Sequence, residues 1–321
     1  MSSIRIKTPS RLHFGLLNWG NAGERQFGGL GLMIEDPGLE LVVEQSEDFE
    51  ANGPHSSRAL SVARSVLEYL ERQGVRVRPV RIQVLRAPAL HNGLGVGTQL
   101  SLAIARACVA LFNSTELSAT QLAAMTGRGT RSGIGIHGFA EGGLIVDAGR
   151  KGDRIPPRIL RVQFPDAWSI LVINPPYQLG LHGAAEIEAF RELPPFPDRL
   201  TDRLCGIILL SLVPALVEGE LPEFGAALTK IQEIVGECFA PAQGGTYSSF
   251  QTEQLVEGMK QCGLVGIGQS SWGPTLYGFT DASVEERRRM RSQMLRQFDL
   301  TEFRIFWTSA DNGGVRVISE H

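Results

Sequence analysis

Residues 87–112 read A-P-A-L-H-N-G-L-G-V-G-T-Q-L-S-L-A-I-A-R-A-C-V-A-L-F, a glycine-rich loop running directly into a helical pattern. Leu100, Ala103, Ile104, Ala107 and Leu111 recur at helical spacing and form an apolar stripe. Ala, Ser and Cys occupy the other faces, which predicts burial nearly all round. The first turn of such a helix leaves several N–H groups aimed at one spot, at the positive end of the helix dipole. Gly93, Gly95 and Gly97 let the backbone approach an anion without Cβ clashes. With Thr98 and Gln99 opening the helix, the stretch is a candidate phosphate cradle. No Lys follows the last glycine, so this is not a Walker loop, and the spacing does not fit the dinucleotide fingerprint.

Outward from this stretch, the whole chain sets bounds. It has 321 residues, 43% apolar and 20% charged, the composition of a globular protein of one large or two ordinary domains. A net charge of −3 gives no reason to expect nucleic acid or an anionic membrane as partner. Cys108, Cys205, Cys238 and Cys262 form no C-x-x-C pair, which argues against a thiolate metal site and fits a reducing cytoplasm. The N-terminus lacks the apolar core of a signal peptide. The longest apolar run, 205–217, reads as too short to span a bilayer and contains Pro214.

Residues 4–8 alternate and predict a first strand, followed by a loop, Thr8-Pro9-Ser10-Arg11-Leu12-His13-Phe14-Gly15, that carries Arg11 and His13. Residues 18–32 are dense in glycine around Trp19, Arg25 and Phe27, and read as a mobile or closely approached segment. In 126–149, Arg128 and Arg131 flank small residues and make an anion clamp, because the guanidinium fork matches phosphate or carboxylate. Ser132 and Gly133 follow, then His137 and Glu141 at a spacing of four, either as polar site residues or in structural hydrogen bonds. The polar, proline-containing stretch 151–157 divides the chain into units 1–157 and 158–321. His182 reads as a surface residue. A second turn rich in glycine and hydroxyls, 263–275, holds Gln269, Ser270, Ser271 and Trp272. Ser118-x-x-Gln121 and Ser283-x-x-Glu286 have the form of capping boxes. Strands and helices alternate irregularly with hairpin-like pairs, which favours α+β over a doubly wound sheet.

These three glycine regions, in this order, resemble the GHMP kinase superfamily over nearly the whole chain. The resemblance implies an N-terminal domain like ribosomal S5 domain 2, a C-terminal ferredoxin-like domain, and a site between them. The chain departs from the kinases after Ser132-Gly133, where Ile134, Gly135 and Ile136 stand in place of a catalytic Asp. A kinase needs a group to orient the attacking hydroxyl. Ser10-Arg11-Leu12-His13-Phe14-Gly15-Leu16, Gly93-Leu94-Gly95-Val96-Gly97-Thr98-Gln99, Gly129-Thr130-Arg131-Ser132-Gly133-Ile134-Gly135, Gly143-Leu144-Ile145-Val146-Asp147 and Gly268-Gln269-Ser270-Ser271-Trp272-Gly273-Pro274 resemble one branch, the β-ribofuranosylaminobenzene 5′-phosphate synthases.

That resemblance implies a reaction of tetrahydromethanopterin biosynthesis, in which 4-aminobenzoate and 5-phosphoribosyl 1-pyrophosphate give the aryl riboside phosphate, CO2 and pyrophosphate. Arg11, His13, Arg131 and His137 are the candidate catalytic residues for such a reaction, with Arg11 and His13 on either the carboxylate or the 5′-phosphate. Gly93, Gly95, Gly97, Thr98, Gln99, Arg128, Ser132, Gly133, Gln269, Ser270, Ser271 and Trp272 would bind substrate. Mg²⁺ near Thr98, no organic cofactor, and a homodimer complete the expectation. The alternatives are an ATP-dependent small-molecule kinase and an inactive ligand-binding member.

Overall fold

The computed structural model describes residues 3–21, 25–112, 115–176, 180 and 183–320. In order they form β1 (Ser3–Leu16), β2 (Gly29–Gln45), β3 (Glu50–Asn52), α1 (Ser56–Arg72), β4 (Val80–Arg86), α2 (Val96–Leu111), α3 (Ala119–Met125), α4 (Ile134–Glu141), β5 (Leu144–Asp147), β6 (Arg158–Val162) and β7 (Ser169–Asn174). Then come α5 (Gly183–Glu192), α6 (Asp198–Ile207), a π-helical turn (Ile208–Leu212), α7 (Val213–Glu218), α8 (Leu221–Gln243), α9 (Phe250–Gln261), β8 (Val265–Gln269), β9 (Leu276–Thr280), α10 (Val284–Gln297), β10 (Arg304–Thr308) and β11 (Arg316–Glu320).

The expected loop at 8–15 is instead the second half of β1. It pairs antiparallel with β2 through Ser10↔Ile34, Arg11↔Met33, Leu12↔Leu32 and His13↔Gly31. Its register shifts between Thr8 and Ser10 and between His13 and Gly15, so the polar residues sit in a strand with two irregularities. Such bulges re-aim side chains. Arg11 and His13, two apart, therefore share one face of a long strand.

A seven-stranded sheet runs β11-β1-β2-β4-β3, with β5 bridging β2 and β6. Both β6 and β11 belong to it, so this sheet takes strands from either side of residue 157. A second, antiparallel sheet runs β10-β7-β9-β8. The mixed architecture is the α+β class expected. Helix α2 is buried on nearly every face, as its composition predicts. Aromatic packing joins the two sheets: Phe14 of β1 lies 5.0 Å from Tyr277 of β9, and Phe164, Phe224 and Phe279 continue the cluster.

The helical run Asp198–Glu218 spans 21 residues and contains an 18-residue window with a mean hydropathy of 1.8. The run 205–217 is part of this longer helix, which has the length and composition of a membrane span, as buried core helices also have. Leu204, Ile208, Leu212, Ala215 and Leu216 are buried, while Leu209, Leu210 and Val217 face outward.

Candidate active site

A cavity of about 510 Å³ lies where β1, the loop before α2, the loop before α4, helices α5 and α8, and the turn after β8 converge. That size suits a small-molecule substrate pair. Gly95 caps α2 in the left-handed conformation, φ 70°, and a Cβ there would stand 3.1 Å from Arg11 Nε. Gly93, φ 78°, has the Ser270 carbonyl where its Cβ would be, at 2.5 Å. A side chain is excluded at Gly93, and at Gly95 it would be strained by the positive φ and crowd Arg11. The first turn of α2 is thereby left open, with Gly97 and Thr98 lining the cavity.

Four arginines surround this opening: Arg11, Arg58, Arg128 and Arg131. Arg58 comes from α1 and reaches to within 3.3 Å of where a Gly97 Cβ would be. Arg128 is held by its Nε donating to Ser101 Oγ at 3.1 Å. Burial, helped by the neighbouring Arg58 charge, lowers the Arg128 pKa. Burial brings Arg11 down to about 10, against the opposing pull of Glu186. At neutral pH both remain cations. Four guanidinium groups at a helix N-terminus make a site for a multiply charged anion.

Beside the arginines, His13 and Ser132 line the cavity floor. Gly15 N donates to His13 Nδ1 at 3.3 Å, so Nε2 carries the proton and donates to Ser132 Oγ at 3.3 Å. Ser132 in turn donates to Asp147 Oδ2 at 3.2 Å. Burial and the Arg11 charge push the imidazole pKa well below its ordinary range, so His13 is neutral. Asp147 also accepts from Gly133 N and Gly149 N, each at 2.8 Å. Desolvation nevertheless outweighs these donors and lifts its pKa to about 6.

On the far side of the cavity, α5 contributes Glu186 and Phe190. Glu186 Oε2 is 2.5 Å from Arg131 Nη2. Phe190 packs edge-on to Trp272 at 5.4 Å, and Trp272 lies 4.4 Å from Phe239 of α8. These three rings form one apolar wall of the cavity.

Other expected site residues fall differently. Gln99 is buried outside the cavity and ties α2 to α4 through Gly135 O at 2.8 Å. Ser270 is also buried; its Oγ donates to Gly93 O at 2.6 Å and accepts from His13 N at 2.9 Å, bolting the late turn to the glycine loop and β1. Gly133 caps α4 and supports Asp147 rather than facing the cavity. His137 does not reach it either: its Nε2 is bonded to Pro156 O at 2.8 Å, a structural contact in place of the expected catalytic one. Glu141 pairs with Arg158. Gln269, Ser271 and Trp272 do line the cavity. Trp19, expected in a mobile or closely approached segment, is core: it stacks on Phe239 at 4.7 Å and donates to Pro194 O. His182 lies outside the described residues.

Sequence reasoning missed Arg58, Asp147, Glu186, Phe190 and Phe239 as site residues. Arg58 sits on the polar face of an amphipathic helix, and Asp147 ends an apolar strand. Glu186 and Phe190 stand four apart on α5, a spacing that puts both on one helix face and was available to be read.

Comparison with known proteins places these features. Over 98% of its length the chain is 34% identical to a beta-ribofuranosylphenol 5′-phosphate synthase of Archaeoglobus fulgidus, 99% of which is matched. It is 35% identical to the synthase of that name from Methanothermobacter thermautotrophicus, over 86% of this chain and 88% of the relative. Residues 212–297 match the family model described as GHMP kinases C terminal. A homoserine kinase from Cytophaga hutchinsonii superposes with a TM-score of 0.66 at 18% identity, over 98% of this chain and 97% of the kinase. That likeness establishes the GHMP kinase fold.

Proposed function

The chain belongs to the beta-ribofuranosylphenol 5′-phosphate synthase family, and on that premise we propose that its cavity joins a phosphoribosyl group to an aryl ring with loss of CO2. The observation that carries this reading is the pairing, in one cavity, of four arginines with an aromatic wall. The arginines suit a sugar phosphate that also bears a diphosphate. The rings suit a benzoate.

The C1–O bond of 5-phosphoribosyl 1-pyrophosphate breaks, and its electron pair leaves on the diphosphate. The α2 amides with Arg128 take up the growing charge, and Arg58 holds the diphosphate throughout. The ring carbon that bears the carboxylate then bonds to C1 with a π pair. CO2 departs and leaves its bonding pair to restore the aromatic ring. No net proton moves, so the neutral His13 and Ser132 hold the floor in place instead of serving as acid and base. Alignment of two bound partners supplies on the order of 7–11 kcal/mol of such a barrier. The aromatic wall also keeps water from the ribosyl cation, which would otherwise hydrolyse.

Among the described residues no group of three or more His, Cys, Asp or Glu is arranged to hold a metal. Thr98, in the first turn of α2 and lining the cavity, is the protein oxygen that would hold a Mg²⁺ carried on the diphosphate. There the ion would neutralise leaving-group charge.

The relatives' name gives the product as a phenol, which 4-hydroxybenzoate yields by the same steps that turn 4-aminobenzoate into an aminobenzene. Both para groups push electrons to the reacting carbon. Incubation of the purified chain with 5-phosphoribosyl 1-pyrophosphate, Mg²⁺ and each benzoate in turn tests the proposal by mass spectrometry. An aryl riboside phosphate from at least one acid is expected, and none from either would overturn it. The kinase reading is disfavoured by the relatives, which at 30–35% identity bear the synthase name.

A further inference from the structure

Glu186 is the one carboxylate among the described residues lining a cavity otherwise rich in cations. Its side chain is only 15% exposed. An acid in a phosphate site weakens anion binding, so its presence calls for a chemical reason. Position supplies one. On α5, Glu186 stands one turn before Phe190, and the two side chains share a helix face. Phe190 belongs to the aromatic wall, while Glu186 touches Arg131 at the arginine end. The cavity thus runs from guanidinium groups, through one carboxylate, to aromatic rings. The reaction proposed above needs the same sequence: leaving diphosphate, sugar, aryl ring.

We infer that Glu186 is the carboxylate that faces the ribose, and that it trades its bond to Arg131 for the sugar when the diphosphate takes that guanidinium. This rests on the phosphoribosyl reading. In the ligand-free cavity Glu186 pairs with Arg131 and also pulls on the Arg11 charge. Diphosphate oxygens offer Arg131 a more highly charged partner. Glu186 is then left beside the ring oxygen and C1, where positive charge develops as the C1–O pair leaves on the diphosphate. The carboxylate forms no bond; it stabilises that charge through space and accepts hydrogen bonds from the ribose hydroxyls. Leaving-group binding and stabilisation of the ribosyl cation become coupled, because the diphosphate draws Arg131 away from Glu186.

Glu186→Gln separates this role from a structural one. The variant keeps the shape and loses the competing charge, so inorganic pyrophosphate, titrated calorimetrically, is expected to bind about tenfold more tightly. Turnover of 5-phosphoribosyl 1-pyrophosphate with the benzoate is expected to fall about 100-fold. A structural strut for Arg131 would instead weaken pyrophosphate binding. That result, or unchanged affinity and turnover, overturns the inference. Should Glu186→Gln fail to fold by circular dichroism, Glu186→Asp is measured instead. It retains the charge, so pyrophosphate affinity stays near the parent's while kcat falls; an unchanged kcat overturns the inference. The titration needs no benzoate, so a parent chain that makes no aryl riboside would sink the reaction proposed above while the calorimetry still reports on the Arg131–Glu186 pair.

Discussion

Ser132 Oγ stands 3.2 Å from Asp147 Oδ2, and that contact links the cavity floor to a fully buried carboxylate. The raised pKa of Asp147, about 6 against an ordinary 3.8, fixes the sign of a pH effect. Between these values the folded chain holds a proton that the unfolded chain has released. Its contribution to stability therefore grows as pH falls from about 6 towards about 4, opposite to a salt-bridged Asp. Urea unfolding of the parent and Asp147→Asn should show the difference moving in the parent's favour by about 1 kcal/mol from about pH 7 to about pH 5. A difference independent of pH would show that the carboxyl titrates normally.

Arg131 lies at the cavity surface, paired with Glu186. Arg131→Ala should cut pyrophosphate release about 100-fold, with far-ultraviolet circular dichroism unchanged. Release at the parent rate would remove Arg131 from the site.

Arg58 reaches the cavity from α1, far in sequence from the other three cations. It contacts the leaving group before and during reaction alike, so Arg58→Ala should raise KM for the sugar diphosphate about tenfold with a smaller change in kcat. An unaltered KM would return it to the solvated face that its sequence suggests.

How much of this could be read in advance depended on the range of the interaction. The loop-to-helix step at Gly95 and the capping boxes at Ser118 and Ser283 are local, and all three are present as expected. The GHMP layout and the arginine pair were legible for the same reason. The strand character of 8–16 was hidden because β2 supplies its partners from 29 onward, across a glycine-rich stretch. Arg58, Asp147 and Glu186 gain their meaning only from neighbours distant in the chain. Trp19 looked mobile beside its glycines, yet Phe190, Phe196 and Phe239 bury it.

Phe190 is half-buried at the cavity's aromatic wall. Phe190→Ala should raise KM for the benzoate and admit water to the ribosyl centre. Pyrophosphate would then form in excess over CO2, measurable by enzymatic assay of both products. Retained coupling would mean that the aryl ring sits elsewhere.

His137 supplies the contrast. Its bond to Pro156 O lies outside the cavity, so His137→Ala should leave kcat within about twofold while costing about 1 kcal/mol of stability. A collapse of kcat in a folded variant would restore it to the site.

The most direct measurement supplies benzoate labelled with ¹³C at its carboxyl group and counts products against 5-phosphoribosyl 1-pyrophosphate consumed. One labelled CO2 and one pyrophosphate are expected for each aryl riboside phosphate formed. Pyrophosphate released with the label still on the ring, or CO2 formed without the sugar diphosphate, would contradict the proposed mechanism.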